Sequence, residues 1–117
     1  MFPYEHLKVY KKAYDVNQKV YRFLKENKRI VSYFKNQLGR AALSIMLNIA
    51  EGSAKYSNKD KRNFFITARG SVFECSSLIN FLYDEGDVTE VFRNDLYYAL
   101  DEICRILYVM IKNLGEG

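Results

Sequence analysis

Imidazole and thiol are scarce: one histidine, His6, and two cysteines, Cys75 and Cys104, leave carboxylates as the bulk of the chain's possible metal ligands. A structural zinc site needs four ligands at recognised spacings, and these residues do not provide them. A di-iron bundle needs a Glu-x-x-His pair on each of two helices, which a single imidazole excludes. Helical ribonucleases that pair an Arg with a His four to six residues later are excluded too, because no Arg precedes His6. The cysteines lack C-x-x-C spacing and fall among apolar neighbours, as small buried hydrophobes do in a reducing cytoplasm. Proline occurs once, at Pro3, and glycine six times, too few for a turn-rich β protein. No run reaches the 18 apolar residues of a membrane span. The start, MFPYEHLKVYKK, lacks the apolar core of a secretory signal. The expectation is a cytoplasmic protein without membrane, metal or cofactor, and not an enzyme.

Hydrophobic residues make up 49% of the 117 positions and charged residues 27%, a globular composition. One domain over 1–117 can bury a core without disulfide or metal staples. Apolar periodicity predicts helices over about 4–26, 32–55, 58–85 and 89–114. The first carries Val9, Ala13, Val16, Val20 and Phe23 on one side. The second, with Ser32 as a candidate N-cap, carries Phe34, Leu38, Ala42, Ile45 and Ile49. The third starts after Ser57, with Asp60 three residues on as in a capping box, and carries Phe64, Ala68, Ser71, Cys75, Leu78 and Leu82. Gly86 suits the left-handed residue that follows a helix. The fourth carries Phe92, Leu96, Ala99, Ile103, Leu107 and Met110. Short breaks make successive helices antiparallel neighbours, so the fold class is an all-α, up-down-up-down four-helix bundle.

The fourth helix also has a second row, Leu100, Cys104, Ile111 and Leu114, with Tyr97, Tyr98 and Tyr108 beside it. Either this row faces another subunit or it widens the core stripe. Charge is split along the chain. Residues 1–69 hold 15 Lys/Arg against 5 Asp/Glu, and residues 70–117 hold 3 against 9. The split suits a basic face for polyanions and an acidic face for the basic face of a second copy; two solvated surfaces would also satisfy it.

Gln37, Ala41, Ser44, Asn48 and Glu51 recur at helical spacing beside Ile45 and Ile49. Ser71 and Glu74 share a face of the third helix, flanked by Arg69. Polar groups next to an apolar stripe must find partners. The expected solution is an interhelical network in which Asn48 and Ser71 bridge, and Arg40 or Arg69 balances Glu51 or Glu74. Within helices, Gly39, Gly52 and Gly70 suggest close backbone approach, since each costs about 1 kcal/mol relative to Ala. Acid–base chemistry by Glu51 and Glu74 stays open, although no nucleophile or anion-binding loop lies near them.

Phosphate is the ligand that the cations suggest. Lys8, Lys11, Lys12, Lys19, Arg22 and Lys25 project from the first helix, and Lys55, Lys59, Lys61 and Arg62 cluster at the junction of the second and third. Backbone contacts from Lys8, Lys11, Lys12, Arg22, Lys55, Lys59, Lys61 and Arg62 would bind without reading sequence and would weaken with salt. Tyr56 is placed to stack on a base, whereas Phe64 and Phe65 suit core packing better.

QLGRAALS at 37–44, NIAEG at 48–52, the pair Phe64–Phe65 and GSVFE at 70–74 occur together here. With them the chain resembles, over nearly its whole length, the four-helix-bundle family of bacterial 23S rRNA intervening-sequence proteins. Gly39 replaces an Arg found in many members, and Met46 replaces a common Pro, so Arg40 stands alone. The resemblance implies a homo-oligomeric, pentameric ring and kinship with the accessory protein of diversity-generating retroelements, which binds nucleic acid and a reverse transcriptase. The expected function is therefore non-enzymatic binding of nucleic acid, RNA before DNA, through the basic face. Self-association would run through helix four and the acidic C-terminal half. The alternative is a protein-interaction scaffold serving a reverse transcriptase or a ribosomal component.

Overall fold

A computed structural model describes residues 1–115. It contains a short 3-10 helix, Pro3–His6, and four α-helices: α1 Lys8–Glu26, α2 Ser32–Ala54, α3 Asn58–Asp84 and α4 Glu90–Leu114. No strand occurs among the described residues. Each helix packs on its sequence neighbours and α1 closes against α4, which completes an antiparallel four-helix bundle with a long axis of 45 Å.

The helix ends follow from local chemistry, with two corrections. The first helix does not run unbroken from Tyr4. Phe2 and Glu5 close a separate turn: the Phe2 N–H donates to the Glu5 carboxylate at 2.8 Å, and the Phe2 carbonyl accepts the Glu5 N–H at 3.1 Å. Leu7 is then extended (φ −79°, ψ 122°) before α1 starts. Ser32 is not the cap of α2. Val31 holds that place, its carbonyl accepting from Phe34 and Lys35, because buried Ile30 anchors the chain just before it.

At the remaining termini Ser57 and Gly86 act as the sequence reading expects, and Thr89, expected only as the approximate start of the fourth helix, is its cap. Ser57 Oγ accepts the Asp60 N–H at 3.1 Å, and Thr89 Oγ1 accepts the Phe92 N–H at 3.1 Å. Gly86, at φ +83°, ends α3. The Asp87 N–H reaches the Leu82 carbonyl at 2.8 Å and the Gly86 N–H reaches that of Tyr83 at 3.0 Å, so two otherwise orphaned carbonyls are satisfied.

Four stripes meet in one core. Val9, Ala13, Val16 and Val20 come from α1, and Leu38, Ala41, Ala42, Ile45 and Ile49 from α2. Phe23 is half-buried and stacks on Phe92 at 4.5 Å; Phe34 stacks on Phe81 at 4.9 Å. On α3 the row is corrected. Phe65, Val72 and Ile79 are buried alongside Ala68, Cys75 and Leu82, while Phe64, Ser71 and Leu78 are only half-buried. α3 is gripped by α2 on one side and α4 on the other, so its buried line is the one midway between them. On α4 the two expected rows merge. Leu96, Leu100, Ile103 and Leu107 are all buried, and Cys104, Ile111 and Leu114 half-buried, so the second row widens the core stripe.

Candidate functional site

The motif-rich stretch forms the outer seam between α2 and α3. Ser44 Oγ and Ser71 Oγ are 2.8 Å apart across the seam. Asn48 Nδ2 donates to the Ser44 carbonyl at 2.9 Å and to Ser44 Oγ at 3.0 Å, and Ser71 Oγ donates to the Thr67 carbonyl at 3.2 Å. The chain of bonds runs from the Asn48 amide through both serine hydroxyls to the α3 backbone, and the Ser44–Ser71 bond accommodates either hydroxyl as donor.

Three features differ from the sequence reading. The chain of hydrogen bonds is half-buried, and no polar or charged side chain among the described residues is fully buried. Asn48 makes no bond to Ser71; Ser44 is the intermediary. No Arg balances a Glu here. Arg40, Glu51 and Glu74 are exposed, and no ion pair among the described residues includes them. Arg69 lies on the other flank of α3, because two residues along a helix are about 200° of rotation, so Arg69 and Ser71 face opposite neighbours. Its guanidinium carbon is 5.0 Å from the Phe73 ring centre and 5.6 Å from that of Tyr108. What remains on the seam is a shallow groove with Gln37, Arg40, Ser44, Ser71 and Glu74 on its walls. Leu43 and Leu47 stand beside it, 42% and 49% exposed.

The cations are distributed by topology. Antiparallel packing brings the start of α1, the α2–α3 junction and the end of α4 to the same end of the bundle. Lys8, Lys11, Lys12, Lys55, Lys59, Lys61, Arg62 and Lys112 belong to this end. Arg22 is exposed but lies about 21 Å further along α1 than Lys8, so it belongs to the opposite end.

Several of these cations have internal partners. Lys12 pairs with Glu102 at 2.5 Å, and further along Lys19 pairs with Asp95 at 2.9 Å. The Lys12 ammonium, by its hydrogen bond and its charge, holds the Glu102 carboxyl below the usual glutamate range. Lys61 Nζ donates to the Ser53 carbonyl at 3.2 Å, placing a cation on the open C-terminus of α2. Lys55 Nζ sits 4.9 Å from the Phe64 ring centre, and Arg62 lies with Tyr108, Ile111 and Lys112. Lys8, Lys11 and Lys59 are exposed and have no ion-pair partner among the described residues. Tyr56, fully exposed, stands in the α2–α3 junction at the same end of the bundle, three residues before Lys59.

The α1–α4 ion pairs were missed from sequence, although a signal existed. Lys12 and Lys19 are seven apart, as are Asp95 and Glu102, and antiparallel helices bring such pairs into register. Part of the acidic half therefore meets the basic half within one chain.

Burial raises the Cys75 thiol to about 12, with the Glu74 charge adding to the effect. Among the described residues no three His, Cys, Asp or Glu side chains gather as metal ligands, and no helix is long and apolar enough to cross a membrane.

The sequence matches the family model described as 23S rRNA-intervening sequence protein over residues 5–109. No match was found among curated proteins. A similar solved structure is the crystal structure of a protein with unknown function from the S23 ribosomal protein family of Bacteroides thetaiotaomicron VPI-5482. It aligns with a TM-score of 0.82 at 22% identity, covering 89% of this chain and 98% of the other, a likeness of fold.

Proposed function

This chain belongs to the 23S rRNA-intervening sequence protein family, and on that premise we propose that it is a non-enzymatic protein that binds nucleic acid, RNA in preference to DNA, at the basic end of its bundle. One observation carries the reading: three separate parts of the chain deliver Lys8, Lys11, Lys59 and their neighbours to a single end, around an exposed Tyr56. Uncommitted lysines attract a phosphate backbone and displace its counterions, while an aromatic ring adds contact with a base. Lys55, Lys61 and Arg62 support this surface from beneath, since their side chains also serve the fold.

In the same proposal the protein is cytoplasmic and assembles into a pentameric ring. With the second apolar row of α4 absorbed by the core, the exposed apolar surfaces open to a neighbouring subunit include the α2–α3 seam, with Leu43 and Leu47, and Tyr98 and Val109 on α4. The seam also favours the second reading, an adapter for a protein partner such as a reverse transcriptase or a ribosomal component. Its Arg40, Glu51 and Glu74 are charges without ion-pair partners among the described residues.

Fluorescence anisotropy with a structured RNA across a salt series tests the first reading. The log–log slope should flatten by about one for each of Lys8→Ala, Lys11→Ala and Lys59→Ala. Absence of binding to any RNA or DNA at low salt would sink it. Salt-insensitive capture of one protein, indifferent to these lysines, would favour the adapter.

A further inference from the structure

We propose that the outward face between α3 and α4 is a second nucleic-acid contact surface, and that it takes an unpaired strand. The inference rests on the nucleic-acid reading above, and adds to it a surface and a strand class.

Summing charge by sequence halves conceals this face. Residues 70–117 are acidic overall, yet hold three cations, Arg93, Arg105 and Lys112. Arg93 bonds to α3 through Asn80, Arg105 pairs with Asp101 beside the α3–α4 cleft, and Lys112 shares a hollow with Arg62. α3 contributes Arg62 and Arg69. The acids Asp95 and Glu102 turn the other way, onto α1. With the Arg105 charge taken by Asp101, Arg62, Arg69, Arg93 and Lys112 are left as a cationic strip along the α3–α4 face.

Aromatic rings alternate with these cations. Arg69 is held between Phe73 and Tyr108, as described above. Arg93 lies 4.5 Å from the Tyr97 ring centre and 5.9 Å from that of Tyr83, fixed by Nε donating to Asn80 Oδ1 and Nη1 to Asn94 Oδ1, each at 2.9 Å. Between the two stacks lies an open cleft of about 140 Å³, lined by Phe73, Ser76, Tyr97, Asp101 and Cys104 among others. From Arg62 to Tyr83 the strip is about 31 Å long at 1.5 Å per residue, room for several nucleotides.

Three properties select the occupant. Phe73 and Tyr108 remain 57% and 54% exposed, so their rings offer planes to something outside the chain. Neither Arg62 nor Arg69 donates a hydrogen bond to an acceptor among the described residues, and the Nε of each is shut off from water. The carboxylate in the cleft, Asp101, is taken by Arg105 at 2.6 Å. Cations interleaved with accessible rings match a strand whose phosphates and bases are both free. A duplex hides its base faces in the stack and would gain the phosphate contacts alone.

The test uses the full chain with a fluorescein-labelled decauridylate, a ten-base-pair RNA duplex and polyglutamate. Decauridylate affinity should fall about tenfold in Phe73→Ala and in Tyr108→Ala, with little change for the duplex. Phe73→Leu should behave as Phe73→Ala, which separates the ring from mere bulk, and Phe73→Tyr should restore binding. Decauridylate should slow alkylation of Cys104, which lines the cleft. If decauridylate binds normally to the ring variants and leaves Cys104 unprotected, while Lys8→Ala, Lys11→Ala and Lys59→Ala weaken it, this inference fails and the basic-end reading survives. Protection of Cys104 by polyglutamate but not by decauridylate assigns the face to an acidic protein and overturns it. No binding of either RNA overturns both.

Discussion

Gly52 of α2 faces the ring of Phe65 on α3 so closely that a Cβ added at position 52 would stand 2.6 Å from Phe65 Cε1 and 3.1 Å from Phe64 Cβ. The glycine of NIAEG and the Phe pair twelve residues later are two halves of one contact. It lets α2 and α3 approach at the end where the basic junction is built. Gly39 has a milder version, 3.3 Å to Leu24 Cδ1, whereas a Cβ at Gly70 would meet nothing within 4 Å.

Gly52→Ala should therefore destabilise by about 1–2 kcal/mol, the overpacking cost exceeding the gain in helix propensity. Gly70→Ala should go the other way, stabilising by up to about 1 kcal/mol. Urea denaturation of both variants checks the pair, and equal effects would remove the contact argument.

Among the described residues, the Ser44–Ser71 bond is the one hydrogen bond between a side chain of α2 and a side chain of α3. Ser71→Ala should cost about 1 kcal/mol, in the range for a hydrogen bond that is not fully buried. In a double-mutant cycle, Ser44→Ala and Ser71→Ala should be coupled by about 0.5 kcal/mol or more, because they share that bond. Additive effects would mean that the seam is held by packing alone.

Glu102 has its carboxyl pKa lowered by Lys12, so the pair's contribution is present above the unfolded glutamate value of about 4.3 and is lost as pH falls through the lower folded value. Carboxyl carbon NMR should show Glu102 titrating below an ordinary glutamate. Lys12→Met should return it toward the ordinary range while neutral-pH stability changes little, since the carboxylate is solvated.

Burial separates the two thiols. Cys75 is enclosed, with its thiol raised to about 12, and Cys104 is partly accessible. Ellman's reagent at neutral pH should count one thiol in the native protein and two in denaturant. Cys104→Ser should leave the native count near zero.

The parts legible in the sequence are those that a helix decides within a few residues. Ser57, Thr89 and Gly86 end helices through bonds to groups one turn away, so their roles could be read locally. The rows of α1 and α2 were readable because each stripe is narrow and strongly apolar. α3 was misread by one position in half its row. Phe64 and Phe65, or Leu78 and Ile79, are equally apolar, and only the neighbours decide which member turns inward. The candidate site fared less evenly. The cations were identifiable by residue type, but Lys12, Lys55 and Lys61 have partners on other turns or helices that residue type does not reveal.

By itself the sequence determined four antiparallel helices, the Ser57 cap, the Gly86 terminus, a family signature and a surplus of cations in its first half, because each depends on local spacing and composition. Tertiary structure decided which flank of each helix meets which neighbour. That rotation sends Arg69 toward Tyr108 while Ser71 faces Ser44, and it sets Asp95 and Glu102 against α1. It gathers the lysines of three segments at one end. The physical reason is that helical periodicity specifies a buried stripe but is silent on its surroundings: flanks acquire partners only when four stripes pack into one core.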